Sequence, residues 1–211
     1  MPIFKIDAAA LYIAHTFLDA KCSCNETSHV FIEKSGANNV RLSALDGHKL
    51  ISFFLRDANP SGLDFDQFGL RIDSAALKTL KPKKDTIAFV DLAADDCGVE
   101  VEANGMTIKT EMTLKPCNIS QFWERVRKCA EKDSDFRPSV IPMKAMKAYD
   151  FSGFFSASTY PAFIKVKSMT VVNIQGLPQH MEARGIVMQM KEALEPYAYF
   201  ETFGEDVPDW C

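Results

Sequence analysis

Two tight-turn pairs, Asp46-Gly47 and Asn104-Gly105, constrain this chain more than any other feature. Glycine takes the positive φ of a two-residue turn without steric cost, so the flanking strands return antiparallel. Around Asn104-Gly105, Gly98–Ala103 and Met106–Met112 alternate apolar and polar residues, the period of a half-buried strand. Around Asp46-Gly47 the flanks are Asn39–Leu45 and Lys49–Leu55, with a further strand at Val30–Glu33 before a turn through Ser35-Gly36. A chain built around two such hairpins is expected to be largely antiparallel.

Helical period precedes the first hairpin. Asp7 is placed as an N-cap, and Leu11, Ala14 and Leu18 recur at helical spacing over Ala8 to about Lys21, followed by a polar loop at 22–28. After a Pro/Gly/Asp loop at 57–66 comes a strand, Phe68–Ile72. A short helix, Ala75–Leu80, is capped by Ser74 and stopped by Pro82, and Thr86–Leu92 is a strand. The first unit is thus a helix and three strands, the second a strand, a helix and three strands. The repeat is one of pattern, with negligible identity. Ser120 caps a third helix, Gln121–Lys132, with Phe122, Val126, Cys129 and Ala130 on one face and Arg125, Lys128 and Lys132 on another. Phe136–Pro142 reads as a linker or crossover, Met143–Tyr149 as a helical turn or two, and Ala162–Lys167, Met169–Gln175 and Arg184–Met190 as strands. The expected class is α+β, with repeated strand–helix–strands units.

Composition narrows the functions. With 211 residues, 47% apolar and 25% charged, the chain buries a core without staples and is not a disordered polymer. No apolar run approaches the length of a membrane span, and Lys5, Asp7 and His15 interrupt any leader-like stretch, so a cytoplasmic protein is expected. Cys22, Cys24, Cys97, Cys117, Cys129 and Cys211 lack zinc-knuckle spacing and read as reduced thiols; no metal or cofactor is expected. His15, His29, His48 and His180 have no acid or nucleophile pattern beside them, and no phosphate-loop or nucleophile-elbow motif occurs. The acid pairs Asp95-Asp96 and Glu205-Asp206 read as solvated. The expectation is a protein without enzymatic activity.

The net charge of −4 conceals a division. Residues 192–211 hold six acids and no base, which leaves 24 bases against 22 acids, a charge of +2, for residues 1–191. Lys78, Lys81, Lys83 and Lys84 cluster after the second helix. Arg125, Arg127, Lys128 and Lys132 load the third, and Lys144 and Lys147 follow. Such charges neutralise phosphates without reading bases, although each helix alone is by default a solvated face.

The segment Leu42–Leu55, with Ala44-Leu45-Asp46-Gly47-His48-Lys49-Leu50 at its turn, resembles the A-T-D-G-H-R-L hairpin of the bacterial sliding clamps, the β subunit of DNA polymerase III. Three further matches follow in the family's order: Phe68–Leu80, Phe136–Pro142 (the interdomain F-P-x-x-x-x-I-P) and Gly185–Lys191 (the closing V-V-M-P-M-R). The resemblance implies a clamp fold, with antiparallel sheets outside and helices on one face. It divides the chain into residues 1–142, like the middle clamp domain, residues 143–191, like the end of the third, and a tail at 192–211 whose aromatic residues sit among acids. It implies a hydrophobic pocket that binds peptides of DNA polymerase and other clients. Carried over, that pocket is Gly47, His48, Lys49, Leu50, Pro142, Ile186, Val187, Met188, Gln189, Met190 and Lys191. DNA-facing residues would be Lys78, Lys81, Lys83, Lys84, Arg125, Lys128 and Lys132, contacting duplex DNA without sequence preference, in a homo-oligomer. Flexible methionines suit varied apolar peptides, although apolar residues of a last strand are by default core. Gln189 stands where the family has Pro, Leu45 where it has Thr, and Lys49 and Lys191 where it has Arg; lysine lacks the guanidinium fork. Without a counterpart of the first clamp domain, an ordinary two-subunit ring is not expected. The alternative expectation is a peptide-binding adaptor or decoy that does not encircle DNA.

Overall fold

The computed structural model describes residues 3–19, 25–46, 49–60, 66–81, 87–95, 98–117, 119, 139–142 and 169–188. In chain order the elements are β1 (Ile3–Asp7), α1 (Ala8–His15), α2 (Asn25–Ser28), β2 (Val30–Lys34), β3 (Val40–Leu45) and β4 (Lys49–Leu55). Then come β5 (Gln67–Ile72), α3 (Ser74–Leu77), a 3-10 turn at Lys78–Leu80, β6 (Phe89–Asp95), β7 (Gly98–Ala103), β8 (Met106–Ile108) and β9 (Thr110–Thr113). The later strands are β10 (Ser139–Pro142), β11 (Met169–Gln175) and β12 (Met181–Met188).

The described strands form two sheets, β1-β6-β7-β8 and β10-β11-β12-β4-β3-β2-β5-β9. Every described pairing is antiparallel except β10 with β11. The turn pairs account for β3–β4 and β7–β8, and the α+β class with mainly antiparallel sheet is as expected. The topology also reveals an exchange. β1 belongs to the first unit but pairs with β6 of the second, and β5 belongs to the second unit but pairs with β2 of the first. The first strand of each unit therefore completes the other unit's sheet.

One core joins the two sheets through α1. Leu11, Ile13, Ala14 and Phe17 are buried with Leu42, Ile51 and Phe53 of one sheet and Ile6, Leu92 and Val101 of the other. Asp7 caps α1, its Oδ1 accepting from the Ala10 N–H at 3.0 Å. Alanines at 8, 10 and 14 leave no bulky group to hold the helix away from the strands. His15 pins α1 to β5. Its Nδ1–H donates to the Leu11 carbonyl at 2.8 Å, and its Nε2 accepts from the Ile72 N–H at 3.1 Å. A single neutral tautomer satisfies both bonds.

Several expectations are corrected. The first unit opens with β1, whose Phe4 and Ile6 alternate with exposed Ile3 and Lys5. The helix from Ala8 ends at His15 because Thr16, Phe17 and Leu18 bond three residues back, and the Thr16 hydroxyl donates to the Ile13 carbonyl at 2.7 Å. The polar stretch 22–28 contains α2. Asp73, not Ser74, caps the second helix, accepting from the Ala75 N–H at 2.8 Å. The expected strand Thr86–Leu92 begins at Phe89 and runs to Asp95. The run Met106–Met112 is two strands: β8 stays beside β7, and after Lys109 the chain crosses to pair with β5. Within the stretch read as linker or crossover, Ser139–Pro142 forms the strand β10. The last strand begins at Met181, three residues before the expected start. The expected helices Gln121–Lys132 and Met143–Tyr149, the strand Ala162–Lys167 and the tail 192–211 lie outside the described residues.

Candidate functional site

The seam between β4 and β12 brings together two of the segments singled out in the sequence. They run antiparallel with Leu50 opposite Ile186 and Lys49 opposite Val187. Met188 is one step beyond, at the end of β12. Gly47, His48, Gln189, Met190 and Lys191 lie outside the described residues. Pro142 pairs with Gln175, four residues along β11 from Val171, the partner of Ile186. At about 3.3 Å per residue, Pro142 is about 13 Å along the sheet from the Leu50 row, with β11 and β12 between its strand and β4.

The near end of the seam is built by a turn. The Asp46 N–H donates to the Lys49 carbonyl at 3.2 Å, and the Lys49 N–H donates to Asp46 Oδ1 at 2.9 Å. The other carboxylate oxygen, Oδ2, holds Lys49 Nζ at 3.3 Å, and the ammonium lies 5.5 Å from the Phe17 ring centroid. Side chains alternate along a strand. Ile51, Phe53 and Leu55 join the core around α1, whereas Leu50 and Ser52 face the other way. Lys49 shares the α1 side. Leu50 is nevertheless only 1% exposed, and Leu45, its partner across the hairpin, 2%. Beside them Ser43 and Ser52 share a buried hydroxyl hydrogen bond of 2.7 Å. Cys117 closes the same sheet near β5, its backbone N–H and carbonyl bonded to the Gln67 amide at 2.7 and 2.9 Å.

The far end is held by residues that no motif marked. Arg56 follows β4 directly. Its backbone N–H donates to the His180 carbonyl at 2.8 Å, its Nη1 donates to the Gln179 carbonyl at 2.7 Å, and its Nη2 pairs with Glu182. His180 Nε2 lies 2.9 Å from Asp7 Oδ2, with its ring tilted against Phe89. The hydrogen-bonded partners are more than a hundred positions apart, so no local signal reveals them.

Of the basic residues, Lys78 and Lys81 are exposed around the 3-10 turn. Lys83, Lys84, Arg125, Lys128 and Lys132 lie outside the described residues. α1 carries no Lys or Arg. The described histidines are structural in setting. Burial pushes His15 down to about 4; the Leu11 hydrogen bond opposes this, and the charges of His29 and Arg71 add to it. Burial also lowers His29, against the support of the Asn25 carbonyl. Among the described residues, no group of three His, Cys, Asp or Glu side chains is placed to hold a metal ion, and no helix is long and apolar enough to cross a membrane.

No protein-family model matches the sequence. No curated protein matches it either. Similar solved structures include bacterial sliding clamps. The Caulobacter crescentus polymerase III β subunit is 17% identical with a TM-score of 0.40, over 54% of this chain and 30% of that one. A Helicobacter pylori β clamp, solved with a DNA ligase peptide bound, is 18% identical with a TM-score of 0.38, over 53% and 31%. The Pseudomonas aeruginosa sliding clamp is 12% identical with a TM-score of 0.43, over 64% and 42%. In each case the match spans less than half of the clamp.

Proposed function

We propose that this protein is a clamp-like accessory factor of DNA replication or repair, without catalytic chemistry, that binds a short client peptide at the β4–β12 seam. The observation that carries the reading is the pairing of Leu50 with Ile186. The two segments that resemble the clamp's peptide-binding hairpin and its closing strand are distant in sequence and adjacent in the sheet. Because Leu50 is 1% exposed, a peptide engages it only after local opening, so association should be slow and independent of peptide concentration at saturation. Lys49 is already paired with Asp46, so the preference for a Gln- or Asp-bearing peptide would come from hydrogen bonding more than from a bare cation.

The test is fluorescence anisotropy with a labelled apolar peptide bearing Gln or Asp, against wild type and Met188→Asp. Saturable binding that weakens by at least about tenfold in the variant, with unchanged circular dichroism, supports the pocket. No binding, or equal binding, removes it.

The adaptor or decoy reading has one specific support. α1 is buried and has no Lys or Arg, so it offers phosphates nothing. Duplex binding would then rest on Lys78, Lys81, Lys83, Lys84, Arg125, Lys128 and Lys132. Retention on circular duplex that falls with salt and is lost on linearisation favours an encircling oligomer. Peptide binding without such retention favours the adaptor.

A further inference from the structure

We propose that Arg56 and Asp7 are positioning residues that fix which residue of β12 lies opposite Leu50. The consequence for client binding rests on the peptide-binding reading; the register itself does not.

β12 alternates, with Met181, Ala183 and Gly185 buried beside Leu55, Phe53 and Ile51. A slip of one residue would turn that set to the other face and is excluded by burial. A slip of two residues keeps every residue on its face and remakes the backbone ladder about 7 Å along. It would set Arg184 or Met188, instead of Ile186, opposite Leu50. Alternation does not select among these three registers. The fit of Ala183 and Gly185 against Phe53 and Ile51 discriminates in part.

The turn before β12 discriminates further. Arg56 reaches it through the His180 carbonyl, the Gln179 carbonyl and Glu182 at once. The planar guanidinium fork is suited to two such acceptors, and an ammonium is not. Asp7 holds His180 at 2.9 Å while its other oxygen caps α1, so its position is set by the core and not by β12. Asp7 is 3% exposed. A 7 Å shift of the hairpin would break all of these contacts together. They lie at the opposite end of β4 from Lys49, so the seam is registered from its far end.

The experiment uses the full chain with Arg56→Ala, Arg56→Lys and Asp7→Asn, the last keeping a competent N-cap. Arg56 is 44% exposed, so its replacement leaves the core intact. Cross-strand NOEs between β4 and β12 read the register, and amide hydrogen exchange reads its opening. Arg56→Ala should speed exchange in β12 by about tenfold while α1 is unchanged, and add NOEs from Leu50 to Arg184 or Met188. Arg56→Lys should fall between the two, and Asp7→Asn should shift β12 in the same direction. Wild-type exchange and NOEs in both Arg56→Ala and Asp7→Asn overturn the proposal. A shifted register with unchanged peptide affinity upholds it and removes the peptide-binding reading instead.

Discussion

His15 should make the fold acid-labile in a way that one substitution can isolate. The ring is buried between the Leu11 carbonyl and the Ile72 N–H, and its Nε2 acts as an acceptor. Protonation converts that acceptor into a donor facing another donor and places a charge in the core. The folded pKa lies at about 4, against an ordinary 6.5 for the exposed ring. The unfolded chain therefore binds the proton first, and stability falls as pH drops. The contribution is fully present above pH 6.5, declines below it and is lost by pH 4, a difference of about 3 kcal/mol. For a domain of this size that is a large part of the net stability. Urea unfolding from pH 7.5 to 4 checks it, with wild type compared with His15→Gln, which keeps a donor and an acceptor but does not titrate. Carboxylates titrate in both proteins and cancel in the difference; His29, whose charge acts on His15, cancels in part. The variant should be less stable at pH 7.5 and lose about 3 kcal/mol less on acidification. Parallel curves, or a His15 ring that titrates near 6.5 by NMR, would refute the reasoning.

Other outcomes follow from single contacts. Gly69→Ala would set a methyl 2.6 Å from Thr113 Cγ2 and 3.1 Å from His29 Cβ, and should lower stability by about 1–3 kcal/mol in thermal unfolding. Asp7→Ala removes both the α1 cap and the His180 contact, and should cost about 1–2 kcal/mol in urea, more than Asp7→Asn. Lys78→Glu with Lys81→Glu should leave the melting temperature unchanged, since both residues are exposed, and should weaken any duplex retention. Light scattering should give an oligomer of at least three chains if the protein encircles DNA, and a monomer or dimer if it is an adaptor.

The strands around the glycine turns were legible because a local rule sets them. Gly98–Ala103 runs as alternation places it, and Lys49–Leu55 as the preceding turn places it. Long-range pairing was not legible. The run Met106–Met112 looks continuous, yet it changes sheets at Lys109, because β5 offers an edge that only the folded chain presents. Phe136–Pro142 reads as linker or crossover, yet Ser139–Pro142 is strand; Pro142 is tolerated there because β10 is the edge of the sheet among the described residues. At the candidate site, sequence pointed to Leu50 and Ile186 by resemblance, and the register sets them side by side. It gave no hint that Arg56 holds the far end of that seam. Alternation predicts faces, and neighbours come from the fold.

The exchange of first strands has a consequence for how the chain acquires its shape. β1 is synthesised early, but its partners, Phe89 to Ala93, emerge more than eighty positions later. Until then Ile3–Asp7 has no mate and α1 has only part of its cover. Contacts of such long sequence separation slow folding and leave apolar surface open in the interval. Neither unit should form a stable independent piece, and cleavage of the nascent chain between Leu55 and Gln67 would leave two halves, each lacking a strand that the other carries.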